Sequence, residues 1–346
     1  MRVSINDVAR AAGVSPTTVS HVISGHRSVS QHLQDRVRQV MAELDYSPMR
    51  SARNLALGKT QLIGLLVPDI GNTFFAELAK GAERVASGSG YNIVLGNTGF
   101  DRMRGLTHLE MIRSRAVDGV VYAAGSPFTD DEIINAIGSL PLVLVDEEVA
   151  GSNAPWVTSD NIDGGRAVAE HLLDHGHRRV LVLHATSGLG SSDRRVEGFL
   201  DAWRAGGGGD ARLVDGGFTS DGGQKAVRTA ADQLLNGEFT AVFAANDEMA
   251  FGALRQCRAL GLSVPADVSV IGFDDVAVAR DTVPALSTVR QDVAAMGERA
   301  GQIMLDLLSG TASETREVTL PVSLVVREST GPAPRPRRPR KSGGRP

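Results

Sequence analysis

Cysteine is all but missing: Cys257 is the single one among 346 residues. One thiol excludes an intrachain disulfide and a cysteine metal cluster. Long apolar runs are missing too, since none approaches the roughly 18 residues of a membrane-spanning helix; no membrane partner is expected. The opening stretch MRVSINDVARAAG lacks the apolar core of a secretory signal, so export is not expected and a cytoplasmic location is. No G-x-S-x-G elbow and no Ser–His–Asp order emerges, so no catalytic residue is assigned and no enzyme is expected. Two motifs only look like sites. GKT at 58–60 ends a phosphate-loop pattern, but that pattern needs glycine where Arg53 stands. Glu170, His171, His175 and His177 resemble metal ligands, yet Gly176 breaks the helix that would align them. Neither a metal nor a cofactor is expected, and GGGGD at 206–210 reads as a turn.

What is there carries its charge unevenly. The net charge is −4, but residues 1–60 hold eight Lys/Arg against four Asp/Glu, and the last fifteen residues hold six against none. The body between them is therefore at −14. A basic start on an acidic body points to an anionic partner for the N-terminus alone. A chain that is 42% hydrophobic and 22% charged is globular in composition, and its length calls for two or three domains.

Three helices fit in residues 1–48. Ser4 caps the first, with Asp7 completing a capping box. Val8, Ala9 and Ala12 face inward, and Gly13 ends the helix. Ser15 caps the second, with Pro16 in its first turn. Ser30 caps the third, where Leu33, Val37, Val40, Met41 and Leu44 recur at helical spacing. The first two have helix-turn-helix spacing. Val19 then packs inward, and Pro16, Thr17, Ser20 and His21 face out, where the N-terminal residues of such a helix meet base edges in the major groove.

From residue 62 the texture changes. LIGLLVPD (62–69), YNIVLGN (91–97), DGVVYAA (118–124), LPLVLVD (140–146), RVLVLHA (179–185), TAVFAAND (240–247) and VSVIGFDD (268–275) read as buried strands. Helical segments alternate with them, which implies parallel sheets covered on both faces and, at this number of units, two α/β lobes. The run GPAPRPRRPRKSGGRP (331–346) cannot build a core and reads as disordered.

INDVARAAGVSPTTVSHVISG, followed by VSQHLQDRVRQVMAELDYSPMRSARNLALGKT, resembles the headpiece and hinge of the LacI/GalR family of bacterial transcription regulators. The reading helix looks closest to the purine-responsive branch. The likeness continues in order through IGLLVPDIGNTFFAEL, RAVDGVVY, SDN, HLLDHGHRRV, RRVEGF, TAVFAANDEMAFGAL and VPADVSVIGFDDV, covering essentially residues 4–329. It implies an all-α helix-turn-helix headpiece (1–48), a hinge (49–60) and a two-lobed core like the periplasmic binding proteins (61–330). The lobes would be 61–161 plus 291–322 and 162–290 plus 323–330, with a basic tail at 331–346.

The resemblance also implies roles. Pro16, Thr17, Ser20 and His21 would read the operator, and Arg53, Asn54, Leu55 and Ala56 match the hinge. Leu55 matches the leucine wedged into the minor groove, where it unstacks a base step and bends the duplex. In the cleft, Asp274, Arg195, Asn246, Asp146, Phe218, Phe74 and Asp69 match the effector-binding positions. Four of these are polar residues following strands, which suits a polyhydroxyl ligand. The partners implied are a double-stranded DNA operator, a small-molecule effector and a second copy of the chain, with a tetramer left open. A sugar is the leading effector and a purine the alternative. A solute-binding protein would share the lobes but lack residues 1–60 and carry an export signal.

Overall fold

The computed structural model describes residues 3–24, 28–46, 59–113, 117–149, 151–185, 188–311 and 316–335. The hinge positions Arg53, Asn54, Leu55 and Ala56 lie outside the described residues.

The headpiece helices are α1 (Ile5–Ala12), α2 (Pro16–Ser24) and α3 (Gln31–Glu43). Asp7 reaches back to accept from both the Ser4 amide (3.0 Å) and the Ser4 hydroxyl (2.7 Å). Gly13 sits at φ 67, and its left-handed conformation turns the chain into α2. Ser15 caps α2 by accepting the Thr18 amide at 3.0 Å. Ser30 departs from expectation: its hydroxyl makes no capping bond, and its backbone carbonyl takes the Leu33 and Gln34 amides instead. Val8, Ala9, Ala12, Val19, Val37 and Val40 form one buried cluster. Burying a valine is worth about 1.5 kcal/mol or more, so this small core rests on few residues.

The first lobe holds β1 (Leu62–Val67), α4 (Thr73–Gly88), β2 (Asn92–Asn97), α5 (Arg102–Arg113), β3 (Gly119–Tyr122), α6 (Asp130–Ile137), β4 (Leu142–Val145) and β5 (Trp156–Ser159). Its sheet is completed by β11 (Glu317–Leu320), giving the all-parallel order β11-β5-β4-β3-β1-β2. The apolar runs divide by strand parity. Leu65, Val67, Val121, Val143 and Val145 pack one face against Leu78 and Ala82 of α4 and against Met296 and Ile303 of α12 (Val293–Ser309). Leu66, Val120, Tyr122, Leu142 and Leu144 pack the other against Leu109 of α5 and Ile133 of α6. Both faces being covered is why these strands are apolar at every position.

The second lobe holds α7 (Asn161–Asp174), β6 (Val180–His184), α8 (Gly190–Ala205), β7 (Ala211–Asp215), α9 (Ser220–Thr229), α10 (Ala231–Leu235), β8 (Ala241–Ala244), α11 (Asp247–Ala259) and β9 (Ser269–Ile271). Its sheet order is β7-β6-β8-β9. Beyond β9, single bridges join it to the antiparallel pair β10 (Thr288–Gln291) and β12 (Val322–Val325). The chain therefore crosses between lobes three times: after β5, after β10 and between β11 and β12.

Two sequence expectations are corrected. The stretch 91–97 was expected to be a buried strand, but β2 ends the sheet order and leaves Val94 and Leu95 47% and 53% exposed. Disorder was expected from 331, yet the Gly331 amide donates to Ser269 Oγ (3.1 Å) and the Ala333 amide to the His175 carbonyl (2.8 Å). The histidines that resemble metal ligands tie down this same segment. His177 Nε2 lies 3.0 Å from the Gly331 carbonyl, and His171 Nε2 lies 3.0 Å from Thr330 Oγ1. Burial pushes the His171 pKa down to about 4.

Candidate ligand cleft and nucleic-acid interface

On α2, Pro16 and Thr17 are exposed while Ser20 and His21 are half-buried. The first turn of α2 thus offers a threonine hydroxyl and a proline ring to a partner, with the serine and imidazole one turn behind. A proline side chain has no hydrogen-bonding group, so position 16 meets a base edge only through apolar contact.

Between the lobes, loops at the carboxyl ends of the strands line a cleft with about 390 Å³ of space, part of it open to solvent. That is the crevice where open α/β sheets place ligands. Asp146 follows β4, Asn246 follows β8 and caps α11, Asp274 follows β9, and Phe218 follows β7. Phe74 opens α4 and Arg195 sits in the first turns of α8. These six line the cavity together. Asp69 does not: it is exposed, and its carboxylate accepts the Gly71 amide at 2.9 Å in a local turn. Asn72 is the residue that caps α4, through the Phe74 amide.

Arg195 organises the polar side. Only 3% exposed, its guanidinium lies 4.0 Å over the Phe273 ring, donates from Nε to Asn161 (2.8 Å) and from Nη1 to the Ala245 carbonyl (2.7 Å). Nη1 also reaches Asp274 at 3.4 Å, and Nη2 stands 3.9 Å from Asp146 Oδ1. That last gap is too long for a hydrogen bond, and Asp146 Oδ1 has no hydrogen-bond partner among the described residues. The pair leaves a buried acceptor and a buried donor side by side in the cleft wall. Asp274 is further held by Gln291 Nε2 at 2.7 Å, so its oxygens are aimed rather than free to rotate.

Burial dominates the titration of these acids. Asp274 is pushed up to about 7, with the neighbouring Asp146 charge adding to the rise and Arg195 opposing it. Asp146 is raised by burial against the same guanidinium. Behind them Asp247, fully buried against Thr288 Oγ1 (2.6 Å), is raised well above the usual range by burial and by Asp274.

Several lining residues were not singled out in the sequence. Phe75, Phe100, Glu147, Leu189 and Ser191 are among them. The backbone marks the site instead. Asp146 (φ 67), Phe218 (φ 58), Phe100 (φ 55) and Asp274 (φ 124) all hold left-handed conformations that side chains resist. Such strain, at roughly 1–3 kcal/mol each, persists where surrounding structure imposes it and clusters at ligand sites.

Residues 4–49 match the bacterial regulatory proteins of the lacI family, and residues 169–330 match a periplasmic binding protein-like domain. The ribose operon repressor of Haemophilus influenzae is 33% identical over 333 residues, spanning 94% of this chain and 98% of that protein. The chain belongs to the LacI family of bacterial regulators. Another LacI-family relative, the HTH-type transcriptional repressor PurR of Vibrio vulnificus, is 32% identical over 337 residues, with 94% of this chain and 98% of that protein covered. Among solved structures, the lac repressor dimer bound to operator and the anti-inducer ONPF superposes with a TM-score of 0.81 at 28% identity, covering 96% of this chain and all of that one. A LacI-family regulator of Enterococcus faecium with bound ribose superposes at 0.70 and 28% identity, covering 78% of this chain and 99% of that one.

Proposed function

We propose that this LacI-family protein is a dimeric transcriptional repressor whose interlobe cleft binds a neutral polyhydroxyl effector of sugar type. The observation that carries the ligand reading is the buried set Asp146, Arg195 and Asp274. It places carboxyl oxygens and a guanidinium together in the lining of the cleft, the acceptors and donors that ring hydroxyls pair with. The surplus of buried carboxyl groups works against a phosphorylated or carboxylate-bearing ligand. Phe74 and Phe218 supply flat apolar surface for the faces of a ring. The ribose operon repressor and the ribose-bound neighbour support the same choice.

The parts divide as headpiece 1–48, hinge 49–60, core 61–330 and tail 331–346. Thr17 and His21 contact bases, Pro16 and Ser20 fit against the groove, and Arg53, Asn54, Leu55 and Ala56 enter the minor groove as a folded hinge. Effector binding changes lobe closure, which resets the spacing of two hinges and so their ability to fold together on DNA. That is coupling between two sites through a bistable element. The second copy docks on the exposed edge of β2, where Val94, Leu95 and Ile70 leave apolar surface uncovered.

A purine effector is the second reading, favoured by the PurR relatives. Calorimetry of the wild type and of Asp274→Ala against pentoses, hexoses and purines decides between them. Heat with a sugar that disappears in the variant supports the proposal; heat only with a purine overturns it. A gel shift of Leu55→Ser on DNA from upstream of the gene tests the hinge, and affinity equal to wild type removes the wedge from the mechanism.

A further inference from the structure

Three successive acids at the end of β4 all reach the same helix of the opposite lobe. Asp146 faces Arg195 as described. Glu147, buried, accepts the Ser191 amide at 3.0 Å and the Ser191 hydroxyl on its other oxygen. Glu148 pairs with Arg194 through both guanidinium nitrogens, Nη2 at 2.6 Å, and the same guanidinium lies 5.9 Å from the Trp156 ring of the first lobe. Serine and arginine at positions 191, 194 and 195 fall on one side of the first turns of α8, so a single acidic tripeptide meets them all. Glu147 and Ser191 line the cavity where the lobes meet, Glu148 does not, and both oxygens of each glutamate are engaged.

We propose that Glu147 and Glu148 are positioning residues: an interlobe clasp that grips the start of α8, holds the cleft closed without ligand, and fixes Arg195 beside Asp146. The clasp stands on geometry that is independent of which ligand occupies the cleft, so it survives or fails apart from the sugar reading. Its bidentate member is charge-assisted and directional, the kind of pair that fixes orientation as well as distance. Its Glu147 member engages both carboxyl oxygens whether ionised or protonated, since the Ser191 hydroxyl can donate to or accept from the carboxyl. In consequence the effector changes lobe closure by working against this clasp, not by assembling the arginine site from separated lobes. Opening the clasp is the step that ligand access requires.

Amide hydrogen exchange on the ligand-free, full-length dimer tests this, because the Ser191 amide is protected by the opposite lobe and not by its own helix. Glu147→Ala and Glu148→Arg are expected to speed exchange of the 188–193 segment by about tenfold or more, while the 241–245 core strand keeps wild-type protection. Glu147→Gln, which can still accept the amide and donate to the hydroxyl, is expected to retain protection. The charge swap Glu148→Arg with Arg194→Glu is expected to restore it. Should a variant lose protection at 241–245, the milder Glu148→Gln is read in its place. Exchange at 188–193 within about twofold of wild type in Glu147→Ala and Glu148→Arg overturns the clasp. So does a charge swap as unprotected as the Glu148→Arg single variant.

Discussion

Gly165→Ala is the most demanding test of how the fold places Arg195. Helices α7 and α8 cross at two glycines, Gly165 and Gly198, each facing the other helix's backbone. A Cβ on Gly165 would lie 2.9 Å from the Phe199 nitrogen and 3.0 Å from the Arg195 carbonyl carbon, and nearer still to the Arg195 oxygen, where ordinary contact begins at 3.4 Å. The obstruction is backbone, so no side chain can swing aside. The helix that carries Arg195 must retreat by on the order of 1 Å, which lengthens Nη1 to Asp274 beyond hydrogen-bonding range and loosens the contacts of Ser191 and Arg194. Overpacking of this kind costs about 1–3 kcal/mol. Denaturant unfolding of the core is expected to show that loss, and calorimetry is expected to show an effector affinity reduced by about tenfold or more, as misplaced recognition groups give. Gly88→Ala is the matched control. Nothing lies within 4 Å of its Cβ, so an alanine in α4 is expected to be neutral or stabilising by up to about 1 kcal/mol. A Gly165→Ala protein as stable as Gly88→Ala, with unaltered ligand affinity, refutes the argument that this crossing sets the arginine.

Other outcomes follow from the same structure. Glu147, pushed up to about 8 by burial and then by the Asp146 charge, keeps its proton in the folded protein and releases it on unfolding. Asp274 at about 7 acts in the same direction, so stability is expected to fall as pH rises from about 5 to 8, Asp274 contributing up to about pH 7 and Glu147 up to about pH 8, by about 1 kcal/mol per pH unit for each group between its unfolded and folded values. Melting curves across that window should show a shallower slope in Glu147→Gln; an unchanged slope rejects Glu147 as its source. Leu95→Lys, on the uncovered β2 edge, is expected to shift the dimer toward monomer in analytical ultracentrifugation and to weaken operator binding, and an unchanged sedimentation coefficient places the dimer contact elsewhere. The Tyr122 hydroxyl is buried with no hydrogen-bond partner among the described residues. Removing it in Tyr122→Phe is therefore expected to leave stability unchanged or raise it by about 1 kcal/mol, and a clear loss by chemical denaturation would reveal a partner.

With the exception of the edge strand β2, the strands that declared themselves in the sequence are buried on both faces. LIGLLV, GVVY, LVLV and AVFA are apolar at every position because both parities meet helices. Strands β5, β7, β10, β11 and β12 passed unnoticed, since they are short and spelled with polar residues, as in WVTS, ARLVD and TVRQ. The cleft residues Asp146, Asn246 and Asp274 were legible because each stands just past a strand that could be recognised. Glu147 was not, although it neighbours Asp146, because its role depends on Ser191 arriving from the other lobe. Asp69 obeys the same strand-end rule and still misses the cavity, since its side chain is taken by a turn. Position after a strand nominates a residue, and only the tertiary arrangement selects among nominees.

The three crossings between lobes impose an order on the protein's manufacture. Strand β5 pairs with β11, joining Trp156 to Glu317, and β10 pairs with β12, joining Thr288 to Val325. Neither sheet has its full set of neighbours until the ribosome has released almost the whole chain. The headpiece, by contrast, draws its core from residues within the first forty or so and emerges first. A nascent or prematurely ended chain thus presents a reader of DNA with no finished receptor attached. Loss of the last thirty or so residues is a lesion of both lobes at once, and its product is a protein that has lost its means of hearing the effector before it has lost its means of finding the operator.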